Sequence, residues 1–222
     1  MTSAAKFVPP GAGIDRLRQA ARACTGCHLY EGTTQTVFSK GPATARVVFV
    51  GEQPGDVEDR RGEPFVGPAG KLLDRAVEAA GLDPATIYTT NAVKHFKFHQ
   101  SGSGKRRIHE TPDASDMRAC RPWLVAEFGL LSPDVVVALG ATGAKALFGP
   151  TFRVTRSRGV LMPWPACAET PEDFGHVGDG APSASFAVAT IHPSAVLRAD
   201  DPDKAFDGLV DDLRVAASVL AG

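Results

Sequence analysis

The feature that most constrains the fold is a short apolar run that ends in a polar turn. Residues 47–50 read Val-Val-Phe-Val, and the sequence Gly-Glu-Gln-Pro-Gly follows at 51–55. A continuous run of β-branched and aromatic residues between turn signals is typical of a strand buried on both faces of a sheet. Open α/β sheets place their chemistry at the carboxyl ends of such strands. We therefore predict an α/β fold with a site beside Glu52.

Two further apolar runs end in polar side chains. Asn91 follows the run at 87–90, and His192 follows the run at 186–191. With a Val-rich run at 134–139, these segments predict a central four-stranded, mainly parallel sheet. Each polar residue alone could simply cap a loop. Because the carboxyl ends of parallel strands meet at one edge, three of them together indicate a site.

Length and composition describe one ordinary globular domain. The 222 residues are 43% hydrophobic, which suffices for a single α/β core. The formal net charge of -1 argues neither for nor against nucleic acid, so a DNA-binding face must be a local patch. Residues 1–13 are polar and rich in Pro and Gly and are expected to form a flexible arm. No signal-peptide or membrane-spanning pattern is present, which predicts a cytoplasmic protein with no membrane partner.

Four cysteines, Cys24, Cys27, Cys120 and Cys167, require an explanation. The first two form a C-x-x-C pair that follows a helical pattern, whereas redox pairs usually follow a strand. Four thiolates suit zinc or an iron–sulfur cluster, and the spacing alone does not choose between them. Unrelated buried thiols remain an alternative for Cys120 and Cys167 but not for the close pair.

The stretch from 94 to 110 combines a Gly/Ser tract with a basic cluster, Lys-Arg-Arg-Ile-His at 105–109. Such a stretch is usually a solvated loop. Its position after the second predicted strand places it beside the predicted site. By spacing alone, His109 is a solvent-exposed loop histidine.

Several motifs, in order, resemble those of a known superfamily. The segments 51–55, Thr90-Asn91 and 192–198 (His-Pro-Ser-Ala-Val-Leu-Arg) resemble the motifs of the uracil-DNA glycosylase superfamily. The C-x-x-C helix, 64–70 (Pro-Phe-Val-Gly-Pro-Ala-Gly) and 120–124 (Cys-Arg-Pro-Trp-Leu) resemble its iron–sulfur-containing family 4. The resemblance runs from Cys24 to the last helix. It implies a three-layer α/β/α sandwich, a single domain over 1–222 and a [4Fe–4S] cluster.

Two departures from family 4 are informative. That family usually has a cysteine soon after the strand-end Asn, where this chain reads Lys-His-Phe-Lys-Phe at 94–98. We therefore expect Cys167 to be the fourth ligand, beside Cys24, Cys27 and Cys120. The inserted basic loop, and Gln53 where the family often has Ala, resemble the UdgX class, which excises uracil and stays covalently joined to DNA. That resemblance implies His109 as the attached residue.

The resemblance also implies roles for the remaining candidates. His192 donates a hydrogen bond to uracil O2, and Glu52 stabilises the sugar cation or acts as a base. Asn91 matches the O4 and N3–H edge of uracil, Phe65 stacks on the base, and Arg107 holds the loop or a phosphate. The other expected uracil contacts are Gly51, Gln53, Gly55 and Asp56. The expected DNA-backbone contacts are Lys94, Arg106, Ser194 and Arg198.

The predicted function is that of a single-turnover DNA-repair enzyme. It excises uracil from single-stranded DNA, or from a flipped nucleotide of duplex DNA, and becomes joined through His109 to C1′ of the abasic sugar. We expect it to act as a monomer. The alternatives are a family 4 glycosylase that turns over with water as nucleophile, and a non-catalytic iron–sulfur nucleic-acid binding module. A zinc-stapled α/β protein of other function is a further alternative.

Overall fold

A computed structural model describes residues 3–102, 106–170, 173 and 185–221. Eight strands are assigned in these segments, six of them in one sheet and two in a separate hairpin. They are β1 (Ser39–Lys40), β2 (Val47–Gly51), β3 (Ile87–Asn91), β4 (Phe98–Gln100), β5 (Arg107–His109), β6 (Val135–Leu139), β7 (Met162–Trp164) and β8 (Ser185–Thr190).

The α-helices of the described segments surround the sheet, and three short 3₁₀ turns accompany them. None of these helices is both long enough and apolar enough to cross a membrane. The helices are α1 (Ile14–Ala21), α2 (Asp56–Arg61), α3 (Pro68–Ala79), α4 (Ala114–Phe128), α5 (Gly140–Phe148), α6 (Val154–Ser157), α7 (Pro193–Val196) and α8 (Pro202–Leu220).

The main sheet has the strand order β1–β3–β2–β6–β8–β7. Its four central strands, β3, β2, β6 and β8, are parallel and are the four predicted from the sequence. The antiparallel edge strands β1 and β7 were not predicted. They contain only two and three residues, too few for a periodic pattern. Residues 154–161, read as irregular or as an edge strand, instead begin with helix α6, and β7 lies just beyond them.

Alternation along the buried strands distributes their side chains to two cores. Val48 and Val50 of β2 pack with residues of α4 and α5 on one face of the sheet. Val47 and Phe49 pack with residues of α3 and α8 on the other face. Since strand side chains alternate between faces, the uninterrupted apolar run covers both layers at once. The predicted three-layer α/β/α arrangement is confirmed.

The described residues 3–13 of the expected flexible arm are packed against the rest of the protein. Ala4 and Ala12 are buried in a third core that also contains Cys24 and Cys27. The Ala4 amide donates to the Ala119 carbonyl of α4 at 2.8 Å. Small residues allow this approach, since a Cβ on Gly26 would lie 2.7 Å from the Ala4 Cα.

The basic stretch forms a β-hairpin, although a loop was expected. Strands β4 and β5 pair antiparallel, with Phe98 opposite His109 and Gln100 opposite Arg107. The Ser101 amide donates to the Arg106 carbonyl at 2.8 Å and continues the ladder. Residues 103–105 lie outside the described residues. The pairing fixes His109 on an ordered strand.

Candidate active site

A cavity of about 750 Å³ opens at the carboxyl ends of β2, β3 and β8, beneath the hairpin. Glu52, Asn91 and His192 meet there, as the strand-end argument predicted. Gly51 adjoins the cavity, because a Cβ on it would lie 2.4 Å from Asn91 Oδ1 and 2.6 Å from the Phe65 ring. The other predicted site residues that line the cavity are Gln53, Gly55, Asp56, Phe65, Arg106, Arg107, His109, Ser194 and Arg198.

The Glu52 carboxylate is hydrogen-bonded through both of its oxygens. Its Oε1 lies 3.0 Å from His109 Nε2, and its Oε2 accepts a hydrogen bond from the Thr142 hydroxyl. Burial alone would raise the pKa of Glu52, but the hydrogen bonds from His109 and Thr142 outweigh it and keep the pKa below the usual value. Thr142, at the start of α5, was not predicted, since nothing in its local sequence distinguishes it from any helix threonine. Glu52 is therefore a fixed carboxylate anion at neutral pH.

His192 caps the short helix α7 through its Nδ1 atom. The Ser194 amide donates to this nitrogen at 3.1 Å, and the Ser194 hydroxyl lies 2.8 Å from it. Burial lowers the pKa of His192 to about 4. The ring is therefore neutral near pH 7 and carries its proton on Nε2. A neutral imidazole with a proton on Nε2 can donate one hydrogen bond to a group in the cavity.

Asn91 presents an unused acceptor. The residue is 1% exposed, and its Oδ1 has no hydrogen-bond partner among the described residues. A buried polar atom without a partner costs about 1–3 kcal/mol, so it marks a place where a ligand can contribute the missing donor.

Phe65 is held in a conformation that is rare for its residue type. Its φ of 55° lies in the left-handed region, and its ring centroid is 6.1 Å from that of His192. The Glu58 carboxylate fixes the turns on either side by accepting from the Gly55 amide at 3.2 Å and the Gly67 amide at 2.7 Å. Left-handed backbone at a bulky residue is a strained arrangement of the kind that concentrates at functional sites. Sequence reasoning missed Glu58, whose only signal is a carboxylate three residues after a glycine turn.

Arg107 anchors the hairpin to helix α2. Its Nε donates to Asp56 Oδ1 at 2.5 Å, and its Nη1 donates to the fully buried Asp59 at 2.6 Å. The guanidinium also lies over the rings of Phe96 and Phe98, 5.4 and 5.0 Å from their centroids. Of the two roles expected for Arg107, the structure supports holding the hairpin. Asp56, predicted to contact uracil, is engaged in the same anchor.

Gln53 also supports the hairpin. Its Nε2 donates to the carbonyls of Lys97 at 3.1 Å and Glu110 at 2.9 Å, and its Oε1 accepts from the Lys97 amide at 2.8 Å. Lys97 directly precedes β4 and Glu110 directly follows β5, and we call these two residues the feet of the hairpin. The side chain of Gln53 therefore holds the hairpin, since both of its amide protons are used there, and the expected uracil contact of Gln53 stays a prediction.

Lys94 does not face solvent. The residue is 1% exposed, and its Nζ donates to Glu127 at 2.5 Å and to the Asn91 carbonyl at 3.0 Å. The prediction of a DNA-backbone contact is therefore wrong for Lys94: a lysine beside a basic loop points into the core, where Glu127 of α4 neutralises it. Arg106 and Arg198 are exposed at the cavity. Lys105 lies outside the described residues.

Three of the four cysteines meet in the N-terminal core. Cys24, Cys27 and Cys120 are all buried, and burial raises the pKa of Cys27 and raises that of Cys120 to about 12. The Trp123 indole donates to Cys24 Sγ at 3.3 Å, and the Lys94 amide donates to Cys120 Sγ at 3.3 Å. N–H groups aimed at sulfur stabilise a metal-bound thiolate. This donor set fits an iron–sulfur cluster.

Cys167 is not brought to the other three. It packs at the edge of the core between the sheet and α4/α5, and its amide donates to the Pro163 carbonyl at 2.9 Å. The expectation that Cys167 is the fourth ligand is therefore wrong. Another donor stands nearer, since His95 Nδ1 lies 4.0 Å from Cys27 Sγ. Within the described residues, no three His, Cys, Asp or Glu side chains converge closely enough to enclose a single metal ion.

Comparisons with known proteins agree with this geometry. Residues 38–214 match the model of the Uracil DNA glycosylase superfamily, and the chain belongs to that superfamily. Its relatives include a type-4 uracil-DNA glycosylase of Thermotoga maritima, 35% identical over 186 residues, which are 83% of each chain. The type-4 enzyme of Sulfurisphaera tokodaii is 31% identical over 156 residues, 68% of this chain and 67% of its own. That of Pyrobaculum aerophilum is 34% identical over 134 residues, 60% and 64% of the two chains. The similarity to family 4 seen in the motifs is confirmed.

Proposed function

We propose that this protein excises uracil from DNA and becomes covalently joined to the abasic sugar through His109. The first half of this proposal is supported by membership of the superfamily and by the names of the type-4 relatives. The second half depends on one observation: His109 Nε2 lies 3.0 Å from Glu52 Oε1 within the cavity. This short separation supports a role for the imidazole as the nucleophile beside the carboxylate.

Recognition of the base is assigned to Asn91 and Phe65. The unpartnered Oδ1 of Asn91 accepts the N3–H of uracil, and its amide NH₂ donates to O4. Cytosine has no N3–H and carries an amino group at the 4-position. Its N3 lone pair would face the Asn91 oxygen, and its amino group would face the Asn91 NH₂, so neither hydrogen bond could form. Stacking on Phe65 contributes about 1–3 kcal/mol. The nucleotide must first leave the duplex stack, or already be single-stranded.

Departure of the base is assisted by His192. When the glycosidic bond breaks, its electron pair stays on uracil N1 and is delocalised to O2. The Nε2–H of neutral His192 donates to that oxygen, and the Glu52 carboxylate stabilises the cation that develops at C1′.

His109 then takes the place that water occupies in a hydrolytic enzyme. Once the C1′–N1 bond has broken, Glu52 accepts the Nε2 proton of His109 and Nδ1 takes one up from solvent, so that Nε2 presents a lone pair. That lone pair bonds to the cationic C1′. Glu52 passes its proton to uracil N1, and the alkylated ring loses its Nδ1 proton to solvent. One C–N bond has formed and one has broken, with no change in oxidation state.

The adduct persists because its final form is a neutral N-substituted imidazole. Expulsion of such a ring requires reprotonation together with renewed stabilisation of the sugar cation. The clamps from Arg107 and Gln53 keep the hairpin over the cavity and restrict the entry of water. A covalently bound hairpin therefore makes the reaction single-turnover.

An iron–sulfur cluster is the cofactor that we assign to the N-terminal core. Cys24, Cys27 and Cys120 would hold it by thiolate bonds. When bound, the cluster supplies a covalent tie between the C-x-x-C loop and helix α4. The residues of the excision cavity carry the chemistry without it.

Contacts with the DNA backbone are assigned to residues at the exposed rim of the cavity. Arg106 and Arg198 supply positive charge there, and Ser194 supplies a hydroxyl hydrogen-bonded to Arg198 at 3.3 Å. Contacts of this kind position the strand and weaken as salt rises.

The decisive experiment mixes the protein with uracil-containing single-stranded DNA and resolves the products on a denaturing gel. Wild type is expected to give a slowly migrating protein–DNA species and free uracil. His109→Ser is expected to release uracil without that species. His99→Ser is the matched control, because His99 lies on the same hairpin but pairs with Glu110 at 3.0 Å, and it should form the adduct normally.

Each competing function gives a different gel. Uracil release without any adduct in wild type indicates a glycosylase that turns over with water. DNA retention without uracil release indicates a non-catalytic binding module. An adduct that survives His109→Ser rejects His109 as the nucleophile.

A further inference from the structure

His95 lies among the cysteines of the N-terminal core, and the excision chemistry does not use it. The residue is 3% exposed, and its Nδ1 lies 4.0 Å from Cys27 Sγ. The residue before it, Lys94, donates its backbone amide to Cys120 Sγ. The segment 94–95 is therefore in contact with two of the three clustered cysteines.

The hydrogen bonds around His95 determine which ring nitrogen carries the proton. Its Nε2 lies 3.0 Å from the Thr36 hydroxyl oxygen. That hydroxyl has a single proton, which it donates to the Ala21 carbonyl at 2.8 Å. The Thr36 oxygen must therefore accept from His95 Nε2–H. In the neutral ring, Nδ1 then has a free lone pair on the side of Cys27.

This is the arrangement expected of a metal-binding histidine. A ligating imidazole almost always donates its other N–H to an oxygen acceptor, which fixes the tautomer and orients the ring. Thr36 is that acceptor, and it is itself held by the carbonyl of Ala21, the last residue of α1. Imidazole is an established ligand of iron and replaces cysteine in some iron–sulfur centres.

We propose that His95 Nδ1 is the fourth protein ligand of the iron–sulfur cluster, completing the set Cys24, Cys27 and Cys120. Cys167 takes no part. The proposal rests on the cluster assigned above, and it concerns which residue closes its coordination. Each thiol loses a proton to bind iron, whereas His95 donates its lone pair without losing one. The site would therefore carry one negative charge fewer than a four-cysteine site.

The test uses the purified, iron-loaded protein and reads the cluster rather than the activity. Iron and acid-labile sulfide are assayed first. Pulsed EPR is then recorded in whichever paramagnetic state reduction or oxidation generates, on protein labelled with ¹⁵N-histidine. A directly bound imidazole gives a strong nitrogen hyperfine coupling, which should appear in wild type. His28→Ala is the matched control, because His28 adjoins Cys27 but is an exposed residue.

Two substitutions complete the design. His95→Cys should retain the cluster, abolish the histidine coupling and lower the reduction potential, since an anionic thiolate disfavours the added electron. Cys167→Ser should leave iron content, coupling and potential unchanged.

The outcomes separate this proposal from the one on which it rests. Wild type with no iron or sulfide would remove the cofactor assignment itself. A cluster without histidine coupling, or with a coupling that His28→Ala abolishes, would overturn the assignment to His95 and leave the cofactor in place. Loss of the cluster in Cys167→Ser would also overturn it. If His95→Cys does not fold, the labelled wild type and His28→Ala still decide.

Discussion

His109 Nε2 and Glu52 Oε1 lie 3.0 Å apart, one on a clamped hairpin and the other at the end of a core strand. The carboxylate belongs to the rigid sheet, whereas the imidazole reaches it only because the hairpin folds back over the cavity. Gln53 and Arg107 hold the two segments in register. The pairing therefore couples the position of the proposed nucleophile to the carboxylate that is proposed to activate it.

Glu52→Gln should slow both uracil release and adduct formation. The amide keeps the shape of the side chain but cannot accept the Nε2 proton or stabilise the sugar cation by charge. General-base and electrostatic contributions of this type are worth about 10²–10⁴ in rate. Single-turnover release of uracil measures the effect, and Glu110→Gln, on an exposed carboxylate at the foot of the hairpin, is the control. A rate unchanged in Glu52→Gln would contradict the role.

The pH dependence of uracil release should be flat through the range where free histidine titrates. Burial lowers the pKa of His192 from 6.5 to about 4, so its Nδ1 stays unprotonated until the pH approaches that value. The pKa of Glu52 is also below its usual value, so the carboxylate stays ionised over the same range. His192 should gain a proton, and activity should fall, only as the pH approaches about 4, while Glu52 takes up its proton below its usual range.

Uracil release from His109→Ser is the measurement of choice for this profile, because adduct formation is removed and only excision is followed. The sign of the accompanying stability change follows from the same shifts. Folded His192 binds fewer protons than the unfolded chain between about pH 6.5 and 4, so the free energy of unfolding should fall as pH drops through that window. An acid limb of uracil release centred near pH 6.5 would mean that His192 is not held neutral.

Asn91→Ala should weaken excision without a matching loss of stability. The unpartnered Oδ1 costs the folded protein free energy until uracil supplies a donor. Loss of that interaction is worth about 1–3 kcal/mol, or roughly 5- to 150-fold in kcat/KM. Thr89→Val on the same strand is the control for packing. If Asn91→Ala lowers excision only in proportion to its destabilisation, the recognition role fails.

Arg198→Ala should reduce the salt dependence of DNA binding. An arginine that neutralises one phosphate of a single strand contributes about 0.7 to the slope of log affinity against log salt. Binding is measured in the His109→Ser background with a 2′-fluorinated deoxyuridine, whose glycosidic bond resists cleavage. Arg214→Ala, an exposed arginine of α8 that is paired with Asp211, is the control. Equal slopes in the two variants would remove Arg198 from the DNA contact.

The sequence predicted the parts of the molecule whose signals are local. Buried parallel strands are continuous apolar runs, so β2, β3, β6 and β8 could be predicted, and their carboxyl ends placed Glu52, Asn91 and His192 together. The sequence motifs identified the superfamily to which the chain belongs. The hairpin was missed as a strand pair, because a Gly/Ser tract and a basic run are typical of loops.

What could not be predicted depends on contacts between distant segments. Gln53 lies in the predicted pocket turn, but its partners are the feet of a hairpin far along the chain. Cys167 was chosen by residue type, since spacing carries no information about which loop returns to the C-x-x-C pair. The signal that could have identified His95 was its position soon after Asn91, where family 4 usually has a cysteine.

Lys94→Met should be strongly destabilising and should leave DNA binding unchanged in the folded protein. Its ammonium neutralises the fully buried Glu127, which also accepts from the hydroxyls of Tyr88 and Thr90 at 2.8 Å. Removing one member of a buried ion pair costs about 3–5 kcal/mol, because the other charge stays buried and unpaired. Denaturant unfolding measures the loss, and Lys40→Met is the control, since its exposed pair with Glu63 is worth at most about 1 kcal/mol.

Two further measurements separate the core role of Lys94 from a role at the DNA. Adding Glu127→Gln to Lys94→Met removes the buried carboxylate charge that Lys94→Met leaves unpaired, and it should restore part of the lost stability. The salt slope of DNA binding should equal that of wild type, because a lysine enclosed between β3 and α4 neutralises no phosphate and so releases no counterion from the DNA. Comparable losses in Lys94→Met and Lys40→Met, or a shallower slope in Lys94→Met, would return Lys94 to the DNA-binding surface.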